Sequence, residues 1–225
     1  MGYGITGLVT ELSAGVTVFL LIATAVLSYF LGCLNGAVIV SKYILQDDVR
    51  DHGSGNAGLT NFYRTFGGKL TFAVIAADMM KMVIAVFISS VLCSTVLVAV
   101  PIFIRFWAGL FCALGHMFPC MFQFRGGKGI LSGGTLALLL DWRITLVVWG
   151  IFIILVAVTK LVSLGSCVAS VLFPIMSVII FPAPSVFLCA LCVTALILWQ
   201  HRGNIVRILH GEESKFSFQR KQVKP

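Results

Sequence analysis

The chain reads as an all-α, polytopic membrane protein with about seven spanning helices, its N-terminus outside and its C-terminus cytoplasmic. Hydrophobic residues make up 59% of its 225 residues and charged residues only 11%. The mean hydropathy of +1.05 exceeds what the core of a soluble domain requires. Lysine and arginine gather on alternate connections between apolar runs, as the positive-inside rule expects of cytoplasmic loops.

Taken in order, apolar runs fall near 13–40, 70–98, 101–119, 130–140, 144–159, 164–181 and 185–199. A helix needs roughly 20 apolar residues to cross the hydrocarbon. The first run exceeds that, so its end around Gly36 to Leu45 is expected to tilt or to continue beyond the membrane. The fourth, Ile130 to Leu140, is short. It spans only if its Ser132-Gly133-Gly134 start already lies in the membrane, shielded by other helices. With the N-terminus outside, Arg50, Arg64, Lys69, Arg125, Lys128, Lys160 and the tail from Arg202 to Lys224 are cytoplasmic, while only Arg105 and Arg143 approach the outer face. Met1-Gly2-Tyr3 lacks a basic leader, so the first run is expected as a retained span rather than a cleaved signal. No repeat, low-complexity tract or soluble linker divides residues 1–225, which read as one membrane domain.

The net charge of +8 lies in membrane-flanking loops, so it indicates anionic lipid and anionic substrates rather than nucleic acid. Cys33, Cys93, Cys112, Cys120, Cys167, Cys189 and Cys192 sit in or beside apolar runs without paired ligand spacing and read as core thiols. The histidines are scattered and form no ligand set with a carboxylate, so neither a metal nor a cofactor is implied.

Three polar clusters interrupt the apolar chain, at about 48–64, 115–129 and 201–213. In the first, Gly53, Gly55 and Gly58 permit backbone N–H groups to turn onto phosphate oxygens. Ser54 and Thr60 supply hydroxyls, and a helix expected to start near Asn61 adds its positive end. Arg64 adds a charge-assisted contact. Taken alone, the segment is equally a flexible loop capped by Asn61. The second cluster runs from Gly115-His116 to Gly126-Gly127-Lys128-Gly129, again just before a helix. A nucleotide P-loop is rejected, because the earlier glycine, the Ser or Thr after the lysine and the preceding strand are all missing. In the third, helical spacing puts His201, Asn204 and Ile208 on one face. Arg202, Arg207 and His210 read as interfacial anchors or solvated residues. Asp78 and Lys81, three residues apart in the second run, can neutralise each other on a helix.

In order, spacing and predicted membrane face, these clusters resemble the bacterial acyl-phosphate:glycerol-3-phosphate acyltransferase family of small seven-span enzymes. Asp48-Val49-Arg50, Thr159 through Ser166, and the pair Asp78 and Lys81 match further family patterns. The chain departs from that pattern at Ala57, where proline is common, at Leu59, where alanine is common, and around Cys33-Leu34-Asn35-Gly36, where the usual serine and proline are absent. The resemblance implies transfer of a fatty acyl group from acyl phosphate to the 1-hydroxyl of glycerol 3-phosphate, at the cytoplasmic face of a bacterial cell membrane, giving lysophosphatidic acid and phosphate. It implies acyl phosphate, glycerol 3-phosphate, membrane lipids and other lipid-synthesis enzymes as partners.

Carried over residue by residue, the resemblance implies phosphate binding by Ser54, Arg64 and Lys128, with Gly53, Gly55, Asn56 and Asn61 shaping the first loop. Gly126 and Gly127 are then expected to allow close backbone approach to glycerol 3-phosphate, and Ser163 to add a hydroxyl. His201 is the expected base, with Asn204 positioning the hydroxyl, although the leaving phosphate can serve instead. His116 either orients a phosphate or caps backbone carbonyls. Glu212 is expected to support the third cluster through Arg207 or a helix terminus, with Glu213 solvated or lipid-facing. A transporter of a phosphorylated metabolite, an inactive scaffold, and an acyltransferase using acyl-CoA or acyl carrier protein are the alternatives.

Overall fold

The computed structural model describes residues 3–94, 96 and 101–216, with side chains from residue 14 onward within that range. Ten α-helices are found among the described residues. They are α1 (Tyr3–Cys33), α2 (Gly36–Ile39), α3 (Leu59–Thr65), α4 (Leu70–Cys93), α5 (Pro101–Met117), α6 (Ile130–Leu140), α7 (Trp142–Thr159), α8 (Val162–Ile180), α9 (Pro184–Gln200) and α10 (Arg202–Leu209). A π-helical turn, Val40–Ile44, continues α2, and 3-10 turns occur at Val49–Asp51 and Cys120–Phe122.

The expected seven spans are not all long enough. Five segments cross by length and composition, at 14–44, 70–93, 101–122, 142–159 and 162–180, and a sixth arises if α9 and α10, bent by 61°, count as one. With 11 residues, α6 reaches only about 16 Å at 1.5 Å per residue. It nevertheless takes its place in the alternation: α1, α5, α7 and α9 run toward one end of the bundle, and α4, α6 and α8 run away from it. The long first run breaks at Leu34-Asn35, where Asn35 caps α2 by accepting from the Val38 amide at 3.1 Å.

Close packing of α1 on α5 depends on Gly32 and Gly115. A Cβ at Gly32 would strike the Cys112 carbonyl, and one at Gly115 the Tyr29 carbonyl. The Tyr29 hydroxyl donates to the Phe118 carbonyl at 2.8 Å and ties the same two ends together. Around α5, the buried faces of α4, α6, α8 and α9 form the main core, with Met82, Phe106, Leu136 and Phe173 at its centre. A smaller core under the first polar loop gathers Val38, Val49, Phe62 and Val74.

Pro174 lies inside α8 and has no N–H to give the Ser170 carbonyl one turn earlier. In a medium without water such a carbonyl needs another donor. The Thr194 hydroxyl of α9 supplies it at 2.7 Å. Replacing Thr194 with Val keeps the volume and leaves that carbonyl unpaired, at a cost of about 1 kcal/mol. The Thr194→Val variant should therefore unfold a few degrees below wild type in a detergent thermal melt, while Thr194→Ser should match wild type.

Candidate active site

The polar clusters converge at the end of the bundle where α5 and α9 finish and α6 and α8 begin. In the first, Gly53 and Gly55 adopt φ of +59° and +67°, a region that glycine enters without strain. The loop is held from inside by Asn61. Its amide Nδ2 donates to the carbonyls of Val49 (3.0 Å), His52 (3.0 Å) and Asn56 (3.1 Å), and its Oδ1 accepts from the Ser54 N–H at 3.1 Å. Asn61 is not where a helix starts: α3 begins at Leu59, with Gly58 as its N-cap. Ser54 and Arg64 stand on the cavity wall.

The second loop folds back onto the end of α5. Gly126 donates its N–H to the Met117 carbonyl at 3.2 Å, and Gly127 to the His116 carbonyl at 3.1 Å. A side chain at Gly126 would strike the His116 carbonyl, and one at Gly127 the His116 Nε2. These glycines thus permit loop closure, and their amides are already engaged. The Gly126 carbonyl accepts from the Ala57 N–H and the Asn56 Nδ2, both at 3.4 Å, joining the first loop to the second. Arg50 braces the same junction, donating to the Phe122 carbonyl at 2.8 Å while paired with Asp48 at 2.7 Å. Gly129, at φ +78°, caps α6, so Lys128 and the positive end of that helix reach the cavity together.

His201 sits at the break between α9 and α10. Its Nδ1 lies 2.8 Å from the Ile197 carbonyl. A carbonyl only accepts, so Nδ1 carries the proton and Nε2 presents a lone pair. Burial pushes the imidazole down to about 4, with the Ile197 hydrogen bond opposing and the Lys128 charge assisting. His201 is therefore neutral at physiological pH. Lys128 donates to Asn204 Oδ1 at 2.5 Å, and burial, opposed by Glu213, lowers the pKa of its ammonium.

Glu213 corrects the sequence expectation. Its Oε1 accepts from Ser163 Oγ and Asn204 Nδ2, both at 2.7 Å, and its Oε2 from Arg207 Nε at 2.8 Å. Burial alone would raise the carboxyl, but these three donors bring it below its ordinary value. Glu212, expected to reach Arg207 or a helix terminus, is exposed, and its backbone N–H donates to the Arg207 carbonyl at the end of α10 at 2.8 Å. The chain continues over the cavity, where Ser214 Oγ accepts from Arg64 at 3.1 Å.

These loops enclose one cavity of about 810 Å³, whose wall includes Gly53, Ser54, Gly55, Asn56, Asn61, Arg64, His116, Lys128, Ser163, His201 and Asn204. Of the expected site residues, Gly126 and Gly127 stand behind that wall. The two carboxylates on the wall are each paired, Asp78 with Lys81 and Glu213 with Arg207. Lys128 and Arg64 thus leave an excess of positive charge for an anion. The cavity shares Ile130, Trp149, Phe152 and Ser166 with an apolar slot of about 40 Å³ that continues past Gly133, Gly134, Ala169 and Phe173.

Residues 22–211 match the family described as glycerol-3-phosphate acyltransferase. The chain belongs to the glycerol-3-phosphate acyltransferase family. Family relatives include the glycerol-3-phosphate acyltransferase of Thermoanaerobacter pseudethanolicus, 36% identical over 90% of this chain and 98% of the relative. That of Fusobacterium nucleatum is 37% identical over 86% of this chain and 96% of the relative. The fold matches crystal structures of PlsY (YgiH), an integral membrane glycerol 3-phosphate acyltransferase. Its glycerol 3-phosphate form superimposes with a TM-score of 0.77 at 28% identity, covering 88% of this chain and 99% of that one. Its lysophosphatidic acid form gives 0.74 at 27% identity, covering 88% and 95%.

Loss of the Glu213 carboxylate removes three hydrogen bonds that hold the segment after α10 across the cavity. Glu213→Ala should therefore speed tryptic cleavage after Lys215 at least about tenfold, read by intact mass in detergent. An unchanged rate would mean that other contacts fix this segment.

Proposed function

We propose that this protein transfers a fatty acyl group from acyl phosphate to the 1-hydroxyl of glycerol 3-phosphate, forming lysophosphatidic acid and inorganic phosphate. The observation that carries this reading is one cavity, lined by all three polar clusters and positively charged, that opens into an apolar slot. A phosphorylated polar acceptor fits the first part, and the apolar lining of the second suits the start of an acyl chain. Acyl phosphate is the donor favoured here, because its reacting end is itself a small anion and the cavity offers short anion-binding loops.

In this reading Ser54, Arg64, Lys128 and the start of α6 hold phosphate oxygens, and they neutralise the leaving phosphate as charge develops on it. The His201 Nε2 lone pair accepts the hydrogen bond of the attacking hydroxyl and aims its oxygen at the acyl carbon. The C–O bond to phosphate breaks as the ester forms, and the hydroxyl proton ends on the departing phosphate. A neutral imidazole suits that orienting role. Asn204 fixes Lys128 beside it, while Gly53, Gly55, Asn56, Asn61, Gly126 and Gly127 shape the loops. Ser163 acts through Glu213.

The whole chain, residues 1–225, forms one membrane domain in this proposal, with α6 and α9 completing seven membrane-inserted segments. Arg105 and Arg143 mark the outer end, with the N-terminus. The cavity and the C-terminus lie at the cytoplasmic face of a bacterial membrane, where both phosphorylated substrates and neighbouring lipid-synthesis enzymes are available.

The test is release of lysophosphatidic acid by purified protein supplied with palmitoyl phosphate and glycerol 3-phosphate. Ser54→Ala and His201→Ala should each lower kcat/KM by about 100-fold or more. Wild type without product, or with palmitoyl-CoA as the preferred donor, would overturn the reading. Filling the slot with Ala169→Leu should raise KM for palmitoyl phosphate several-fold, roughly the effect of 1–3 kcal/mol of overpacking, and leave KM for glycerol 3-phosphate unchanged.

A further inference from the structure

Asp78 and His116 on the cavity wall, with Lys81 behind them, form a charged cluster that the proposed chemistry does not use. Lys81 is 3% exposed, Asp78 1% and His116 3%. The Lys81 ammonium has three N–H donors and finds three acceptors: the Leu34 carbonyl at 3.1 Å, Asp78 Oδ1 at 2.8 Å and His116 Nδ1 at 2.8 Å. Asp78 Oδ1 accepts in addition from the Gly36 N–H at 3.1 Å.

This arrangement decides where the imidazole proton sits. A nitrogen facing an ammonium at hydrogen-bond distance must present its lone pair. The alternative, Nδ1–H donating to Asp78, requires a bond across 3.6 Å, too long for one, and would leave a buried Lys81 donor unsatisfied. Asp78 and Lys81 already form a neutral pair, so a neutral imidazole adds no net charge inside the bundle. We propose that Lys81 fixes His116 in the Nε2–H tautomer, making His116 a hydrogen-bond donor to a substrate phosphate oxygen and Lys81 its positioning residue. The proposal rests on the phosphate chemistry proposed above.

The place of Nε2 agrees. It lies against Gly127, where any side chain would displace it, and His116 is part of the cavity wall. Nδ1 is engaged by Lys81, and Nε2 has no hydrogen-bond partner among the described residues. The two cavity histidines are thus held in opposite tautomers by their second nitrogens. His201 is an acceptor because a carbonyl holds its Nδ1–H, and His116 is a donor because an ammonium holds its Nδ1 lone pair. One orients the hydroxyl, and the other binds an anion.

The proton position is read by nitrogen NMR of detergent-solubilised protein labelled at histidine, with His116→Asn identifying the His116 resonances. In wild type, Nε2 should show a protonated and Nδ1 an unprotonated shift, and either glycerol 3-phosphate or palmitoyl phosphate should move the Nε2 resonance. The neutral double variant Asp78→Asn/Lys81→Met should lose the fixed tautomer. It and His116→Asn should raise KM for one substrate about tenfold, as expected for loss of a hydrogen bond to a charged group, with kcat changed only a few-fold. The substrate whose KM rises identifies which phosphate is bound. A proton on Nδ1 in wild type, a Nε2 resonance that neither substrate moves, or unchanged KM for both substrates in folded His116→Asn would each overturn the proposal. The spectra need no turnover, so an inactive wild type would sink the acyltransfer reading and leave the tautomer to be decided by NMR.

Discussion

A polar cavity at the end of a hydrocarbon-bounded bundle persists only if the groups behind its wall are already hydrogen-bonded, because no bulk water is available to them. That constraint explains the distribution of polar residues better than any single contact with a substrate. Asn61 shares its two N–H donors among three carbonyls of the first loop and accepts from one of its amides. Lys81 satisfies a broken helix end, a carboxylate and an imidazole. Glu213 gathers a hydroxyl, an amide and a guanidinium from α8 and α10. With these partners fixed, Ser54, Arg64, Lys128, His116 and His201 line the cavity, and in the proposed reading they are the groups that meet a ligand.

The same constraint links packing to chemistry. Gly126 and Gly127 close the second loop on α5 by giving their amides to carbonyls of that helix's last turn. The closure sets Gly129 as the cap of α6 and brings Lys128 within reach of Asn204. The Gly126 carbonyl in turn holds the first loop. A change in one loop is therefore expected to alter the geometry of all three, and loss of activity alone does not distinguish a ligand-binding residue from a brace.

Much of this was legible in the sequence. Hydropathy gave the all-helical membrane class, and the order of three glycine- and base-rich clusters gave the family and the residues of the cavity wall. What escaped was set by tertiary contacts. Asn61 looks like a cap in sequence, but its amide points into the preceding loop. Glu213 follows a short surface helix and looks solvated, yet the chain turns back over Ser163. Gly126 and Gly127, read as making room for a phosphate, also give their amides to loop closure, which spacing alone does not show. The shortness of the fourth run, by contrast, was already legible, and α6 has the same bounds, Ile130–Leu140.

The central claim is that the three loops together form one anion site centred on Lys128. Its most direct test is the thermal stability of the detergent-solubilised protein as glycerol 3-phosphate is added, for wild type and Lys128→Met. A ligand that binds the folded state raises Tm with the logarithm of its concentration. Wild type should show that rise and Lys128→Met should lose most of it; an equal rise in both proteins would place the anion elsewhere and contradict the account.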